Sequence, residues 1–490
     1  MTNSSVSHRF NWRAVTRTIG MLLFIEAFFM AVPTVVSAAI GEDDFIPFLL
    51  SLFLTVFAGT LCAVFARPRR KNLGRREGIL LTAIVWVVFS LFGMLPFIFS
   101  KLDFNVADAF FESMSGFTTT GASVMDEIDH LSYGMHLWRC LTQWIGGMGI
   151  IIFTVAVIPM FNSSGGMQMF FAETTGIIRD KLRPRVSQTA KRIWTIYGAL
   201  TVVLALLLWI GPMNFFESIC HALSTISTGG FSTETASLSA WNSLYLKIVV
   251  LVFMFIGGVN FALLYRASIG RMKLVWKDEI LRTYIRIILV MALFFAVMIL
   301  VNGAFSSWED VVVNPLFQVV SVISSTGYII ADLGSWGFCA LPCIVLLMFI
   351  GGCAGSTSGG AKVDRMLYLW KNTRNVLRKN IHPNRFYPLT INGRSSSPDT
   401  LSKVCAFLLL YIVLMILGAI LLSLTGVPLE DSCFAAYSCI ANTGLGSGVT
   451  EVSYDIIPDT GKWLLAFLML IGRLEIFTVL VILTRSFWRK

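Results

Sequence analysis

FTTTGAS (117–123), STGGFST (227–233), SSTGYII (324–330) and ANTGLGSG (441–448) each place a Thr-Gly pair at the end of an apolar segment too short to cross a membrane. The pairs are Thr120-Gly121, Thr228-Gly229, Thr326-Gly327 and Thr443-Gly444, and their glycines lie 108, 98 and 117 residues apart. A long apolar run follows each pair and carries its own marker: Ile145-Gly146-Gly147, Ile256-Gly257-Gly258, Ile350-Gly351-Gly352 and Ile471-Gly472-Arg473. From turn glycine to first marker glycine is 25, 28, 24 and 28 residues. Two markers recurring in one order describe a fourfold repeat, and such a repeat governs how the rest of the chain is read. Aligned on the turn glycines, Phe111, Ile219, Phe317 and Phe434 stand ten residues earlier, and Ser115, Leu223, Ser321 and Ser438 six earlier. Pseudo-fourfold units around one axis are how a single polypeptide builds a pore.

Composition sets the class. Of 490 residues 56% are hydrophobic and 13% charged, about half the charged share of a soluble domain. The chain reads as an integral, all-α polytopic membrane protein. Its net charge of +10 is not a nucleic-acid signature, because the basic clusters recur in alternate loops: Arg67–Arg76, Lys181–Arg192, Arg266–Arg286, Lys362–Arg385 and the final Arg485, Arg489 and Lys490. The loops between them are acidic or neutral, as in Glu42-Asp43-Asp44 and around Asp126, Glu127 and Asp129. That alternation follows the positive-inside rule and predicts both termini in the cytoplasm. Nine scattered cysteines include no CxxC pair, and they read as small buried hydrophobes. The run from Ile19 to Ile40 is too long for a signal-peptide core and reads as a retained spanning helix.

A spanning helix needs about 20 apolar residues. On that basis a hairpin of spans at 18–40 and 46–67 precedes the repeats (residues 1–70). Repeat one (71–185) has a span near 78–100, a short segment 105–118 and a span near 137–162. Repeat two (186–275) runs 192–212, 214–227 and 243–268; repeat three (276–385) runs 283–302, 310–324 and 337–370; repeat four (386–490) runs 401–425, 430–441 and 461–486. The total is ten spans and four half-length segments. Eleven or twelve helical residues rise only about 16–18 Å, so each short segment enters and leaves on one side as a re-entrant pore helix. The stretch around Pro383–Pro398 reads as a loop, and no GxxxxGKS/T motif offers a nucleotide site.

Irregular backbone at membrane depth is tolerated where it is buried or lines water. Four turns meeting on an axis present rings of carbonyls that can replace a cation's hydration shell. Glycine supplies the backbone freedom, and a pore helix's C-terminal end favours a cation. The expected ligands are the carbonyls of Thr119, Thr120, Ser227, Thr228, Ser325, Thr326, Asn442 and Thr443, with Gly121, Gly229, Gly327 and Gly444 shaping the turns. No turn carries a carboxylate, which favours a monovalent ion over Ca²⁺ or Mg²⁺.

These four loops resemble the filter loops of the Trk/Ktr/HKT potassium transporter superfamily, and the resemblance extends over essentially the whole chain. The two extra N-terminal spans resemble the bacterial Trk potassium-translocating branch more than the Ktr branch. In that family glycine in all four loops goes with potassium, whereas serine in the first goes with sodium in related plant transporters. The resemblance implies K⁺ as the transported ion with no organic cofactor in this chain, and a homodimer in the bilayer of a bacterial inner membrane. It also implies a cytoplasmic ring of TrkA-type nucleotide-binding regulatory subunits.

Two features read as a gate. Where three repeats place the second marker glycine (Gly147, Gly258, Gly352), the fourth places Arg473, a charge costing roughly 2.5–3.5 kcal/mol at the centre of a span. It reads either as a pore-facing charge or as a structural partner of Glu475 or buried carbonyls. The stretch GGCAGSTSGGAK (351–362), with Gly351, Gly352, Gly355, Gly359, Gly360 and Lys362, predicts a span broken by an intramembrane loop. In the resembling family an arginine occupies the permeation path and an intramembrane loop gates it.

The expected function is potassium uptake driven at least partly by membrane potential, which at 100 mV supports roughly 40–50-fold accumulation. The alternatives are an Na⁺- or H⁺-coupled cation symporter of the same fold with poorer K⁺/Na⁺ selectivity, and a secondary transporter of an organic solute, which would show inverted repeats. A membrane enzyme finds no HExxH or GxSxG motif.

Overall fold

The computed structural model describes residues 10–66, 74–147, 149, 186–303, 307–331, 334–337, 339–395 and 398–489. The second half of the expected 137–162 span lies outside the described residues. Among those described, six helices are long and apolar enough to cross a membrane. They are Trp12–Ile40, Phe45–Phe65, Arg75–Gly93 with its continuation Leu95–Phe99, Val186–Ile210, Glu279–Asn302 and Pro398–Ser423.

The four short segments are the helices Val106–Phe117, Phe215–Ile226, Trp308–Ile323 and Leu429–Ala441. Three start at a capping box, in which Asn105, Asn214 and Ser307 exchange hydrogen bonds with Asp108, Glu217 and Asp310 three residues on. Reciprocal caps of this kind satisfy the free N–H groups of a helix start. Each short helix packs on the long helix before it. Each is also covered by a helix of the preceding unit: Tyr133–Gly147 lies on Phe215–Ile226, Leu244–Gly257 on Trp308–Ile323, and Ala340–Ile350 on Leu429–Ala441. Asp459–Arg473 then returns to Val106–Phe117, so the order closes on itself.

The marker glycines end helices more often than the sequence predicts. The expected break after Gly351 is present, with Ala340–Ile350 ending there and Val363–Ile381 resuming after the loop. The expected continuous runs 243–268 and 461–486 are broken too. Leu244–Gly257 meets Phe261–Ser268 at 108°, and Asp459–Arg473 meets Phe477–Leu483 at 115°. The second bend runs through Glu475 and Ile476, whose φ values are +54° and +47°, conformations disfavoured for a β-branched residue. The 383–398 stretch is more than a loop, for Thr390–Ile391 and Arg394–Ser395 form a hairpin about Asn392-Gly393. Asn-Gly is a strong two-residue hairpin signal that was there to be read. Asn392 anchors that hairpin to the start of Glu279–Asn302, accepting from the Glu279 N–H at 2.7 Å and donating to Asp278 at 2.7 Å.

Candidate functional site

The four turns follow the short helices in one backbone pattern. A residue with positive φ comes first (Thr119 +54°, Thr228 +54°, Ser325 +57°, Asn442 +52°), and two residues later a glycine with positive φ (Gly121 +85°, Gly230 +82°, Gly327 +83°, Gly444 +78°). The N–H between them always returns to a serine carbonyl five residues back. Thr120 donates to Ser115, Gly229 to Ser224, Thr326 to Ser321 and Thr443 to Ser438, at 2.9–3.0 Å.

This corrects the register of the second turn by one residue. Gly230, not Gly229, is the counterpart of Gly121, Gly327 and Gly444. The level that holds Thr120, Thr326 and Thr443 holds Gly229 in the second loop. Thr228 is therefore equivalent to Thr119, and Ser227 to the helix-capping Thr118. The physical reason is that hydrogen bonding back to the helix sets the turn, whereas the Thr-Gly dipeptide does not. With the register corrected, the serine six residues before the turn glycine is present in every unit, and the odd Leu223 disappears from the series.

The turns touch in a closed ring. A side chain on Gly121 would overlap the Gly229 carbonyl, one on Gly230 that of Thr326, one on Gly327 that of Thr443, and one on Gly444 that of Thr120. Four glycines with positive φ thus lie against four neighbouring carbonyls, and no Cβ fits at any of them. The preceding residues Thr119, Thr120, Thr228, Ser325, Thr326, Asn442 and Thr443 are buried, while the four ring glycines are partly accessible.

Around the ring runs a polar shell that sequence reading missed. Glu112 and Arg139 form an ion pair at 2.8 Å with both side chains buried. Glu112 also accepts from the Val124 N–H at 3.1 Å, and the Arg139 guanidinium lies 4.2 Å from the centre of the Phe231 ring, joining the first and second loops. Lys462 reaches Asp108 at 2.5 Å and Lys247 approaches Glu309 at 3.6 Å. In both cases a helix of one unit is tied to the short helix of the next. Farther out, Asp129 accepts from the Thr235 N–H and hydroxyl at 2.6 and 2.9 Å. These bonds hold its carboxyl below the usual carboxylate range. Residues this far apart in the chain carry no shared local motif, so only a fold could have paired them.

Against the ring lies the 351–362 loop. Gly351, Gly355 and Gly360 have φ of +69°, +75° and +75°, and Lys362 has φ +78°. The loop is buried across Gly351, Gly352 and Gly359 and follows the ring closely. The Thr357 hydroxyl is 3.2 Å from that of Thr228 and bonds the Ile226 and Gly257 carbonyls at 3.3 and 3.2 Å. Ser358 Oγ is 3.2 Å from Ser325 Oγ, and the Gly359 N–H donates to Ser325 Oγ at 3.1 Å. Lys362 donates its ammonium back to the Ser358 carbonyl.

Arg473 joins this loop to the first unit, donating from Nη1 to the Thr357 carbonyl at 2.8 Å and from Nη2 to the Gly146 carbonyl at 2.9 Å. Its guanidinium stands 5.7 Å from the centre of the Trp86 ring. Of the structural partners considered from sequence, Arg473 binds buried carbonyls, while Glu475 pairs with Arg365 at 2.7 Å. Among the described residues no group of three or more His, Cys, Asp or Glu is placed to hold a metal ion.

Its long apolar helices make this chain a multi-pass membrane protein. The match to known proteins narrows the class: residues 48–489 fit the TrkH family, described as "cation transport protein", and the chain belongs to that family. It is 36% identical over 485 residues to the Trk system potassium uptake protein TrkH of Escherichia coli K12, covering 98% of this chain and 100% of that protein. It is 29% identical over 488 residues to TrkG of the same organism, covering 98% and 99%. The crystal structure of the potassium transporter TrkH from Vibrio parahaemolyticus superposes with a TM-score of 0.88 at 33% identity, covering 98% and 100% of the two chains. These relatives transport ions and are not enzymes.

Proposed function

We propose that this chain takes up potassium across a bacterial inner membrane through the ring of four turns, and that the 351–362 loop and Arg473 hold the passage closed beneath it. The observation that carries the reading is the closed order of the contacts, with each turn glycine against the next loop's carbonyl and the fourth unit back on the first. It is the contact pattern expected of four pseudo-symmetric units, each a long helix, a pore helix and a second long helix, around a central pore, with the Trp12–Ile40 and Phe45–Phe65 hairpin outside. The units correspond to residues 71–185, 186–275, 276–385 and 386–490, after a hairpin at 1–70. The ligating atoms are the carbonyls of Thr119, Thr120, Thr228, Gly229, Ser325, Thr326, Asn442 and Thr443.

Both termini lie in the cytoplasm. The protein works as a homodimer above TrkA-type nucleotide-binding subunits, which the basic last turn of Val363–Ile381, holding Arg378 and Lys379, would suit. One observation favours a proton-coupled form of the same function: Glu26 is fully buried in Trp12–Ile40, and neither carboxylate oxygen has a hydrogen-bond partner among the described residues.

Proteoliposomes holding this chain, with an inside-negative potential, test the reading. ⁸⁶Rb⁺ should accumulate and be displaced by K⁺ more effectively than by Na⁺, with lumenal pH followed alongside. Absence of Rb⁺ uptake in the Arg473→Ala protein, which has its gate removed, would overturn it.

A further inference from the structure

At the level of Thr120, Thr326 and Thr443 the second turn has Gly229 and no side chain. In two of the other loops the threonine hydroxyl is held by the helix cap below it: Thr120 Oγ1 lies 2.8 Å from Thr118 Oγ1, and Thr326 Oγ1 lies 2.8 Å from Ser324 Oγ. In the second loop the vacated space is filled from another unit. A Cβ on Gly229 would overlap the carboxamide of Gln143, on the helix Tyr133–Gly147.

Gln143 is fully buried. Its Nε2 donates to the Gly229 carbonyl at 2.7 Å, and its Oε1 accepts from the Ser224 hydroxyl at 2.7 Å and the Phe231 N–H at 3.2 Å. The Phe231 N–H can only donate, which fixes which end of the amide is oxygen. Three residues before their first marker glycines the other units carry Met254, Met348 and Met469, so the amide occurs only in the unit that covers the loop lacking threonine.

We propose that Gln143 is a selectivity-setting positioning residue: it replaces the missing threonine side chain and occupies one lone pair of the Gly229 carbonyl. The ring then has three carbonyls with their full field and one already hydrogen-bonded. Weakening the field of a coordinating carbonyl lowers the advantage of a small ion of high charge density, and so favours K⁺ over Na⁺. Gln143 and Gly229 form a reciprocal pair in this scheme. The inference rests on the turns being the cation filter.

The test is a cycle of Gln143→Met, Gly229→Thr and the double variant, with ⁸⁶Rb⁺ uptake competed by K⁺ and Na⁺. Gly229→Ala serves as a second probe, because φ at Gly229 is not positive and the new methyl's three nearest neighbours are all carboxamide atoms of Gln143. Each single change should lower the K⁺/Na⁺ ratio about three- to tenfold, the effect of one buried hydrogen bond. The double variant, in which this carbonyl likewise has no amide bond, should fall no further than either single variant, because both changes remove the same hydrogen bond. Thermal shifts by K⁺ and Na⁺ on the purified variants report the same order by binding alone. Unchanged ratios in the single variants while Gly327→Ser lowers the ratio would refute the role of Gln143 and leave the filter standing. No change in any of them, Gly327→Ser included, would remove the filter reading and this one with it. Single-variant losses that simply add in the double variant would refute the pairing.

Discussion

Replacing Arg473 tests charge and latch separately. A cation passing within ~8 Å of the guanidinium at an effective dielectric of about 20 is opposed by roughly 2 kcal/mol, or about thirtyfold in rate. The same side chain ties the loop down through its bonds to Thr357 and Gly146 at 2.8 and 2.9 Å, each a charge-assisted bond of about 1.5–3 kcal/mol. Arg473→Gln removes the charge and keeps an N–H donor for the Thr357 carbonyl, whereas Arg473→Ala removes both. If the charge dominates, both variants conduct about thirtyfold faster than wild type in ⁸⁶Rb⁺ flux into proteoliposomes holding this chain alone. If the latch dominates, only the alanine variant opens. Glu475 keeps its own partner Arg365 at 2.7 Å, so neither change orphans a buried carboxylate, and both proteins should unfold within a few degrees of wild type. Stable variants with flux at or below wild type would refute the gate.

Changing Thr357 to Val or Ser358 to Ala loosens the loop from Thr228 and Ser325, and should raise Rb⁺ flux several-fold with the K⁺/Na⁺ ratio unaltered. Gly230→Ser should impair selectivity as severely as Gly121→Ser, because both glycines need positive φ and abut a neighbouring carbonyl; ion-competition assays on the two variants check the corrected register. Arg139→Met leaves Glu112 buried without its partner and should cost about 3–5 kcal/mol of stability, read as a lowered Tm. Asp129 has its folded pKa depressed by the Thr235 bonds. Its tie between the first and second outer loops is therefore present above a pH of about 4 and lost as pH falls through the lower folded value. Protection of the amides near residue 128, taken relative to the intrinsic exchange rate at each pH, should fall there in wild type, and Asp129→Asn should abolish that pH-dependent loss.

Several features were legible in the residues alone. Hydropathy and run length separate spanning from half-length helices, because the bilayer thickness is a fixed ruler. The glycine density of 351–362 reports a broken span, since helix propensity is a local property. Four recurring Thr-Gly turns mark the candidate site region for the same reason.

Other features were decided only by the fold. Loop two is set by which N–H reaches the Ser224 carbonyl and which glycine must yield to the Thr326 carbonyl, and the dipeptide STGG permits either register. The bends after Gly257 and Arg473 fall in runs with no glycine excess, where packing overrides propensity. Arg473 binds the Thr357 and Gly146 carbonyls, while Glu475 beyond the bend meets Arg365. Gln143 was an unremarked polar residue in an apolar helix, and it acquired a role because the ring brings it against Gly229, 86 positions later. Local sequence encodes what each segment can be, and contacts between distant segments, closed into a ring, decide which hydrogen bonds are made.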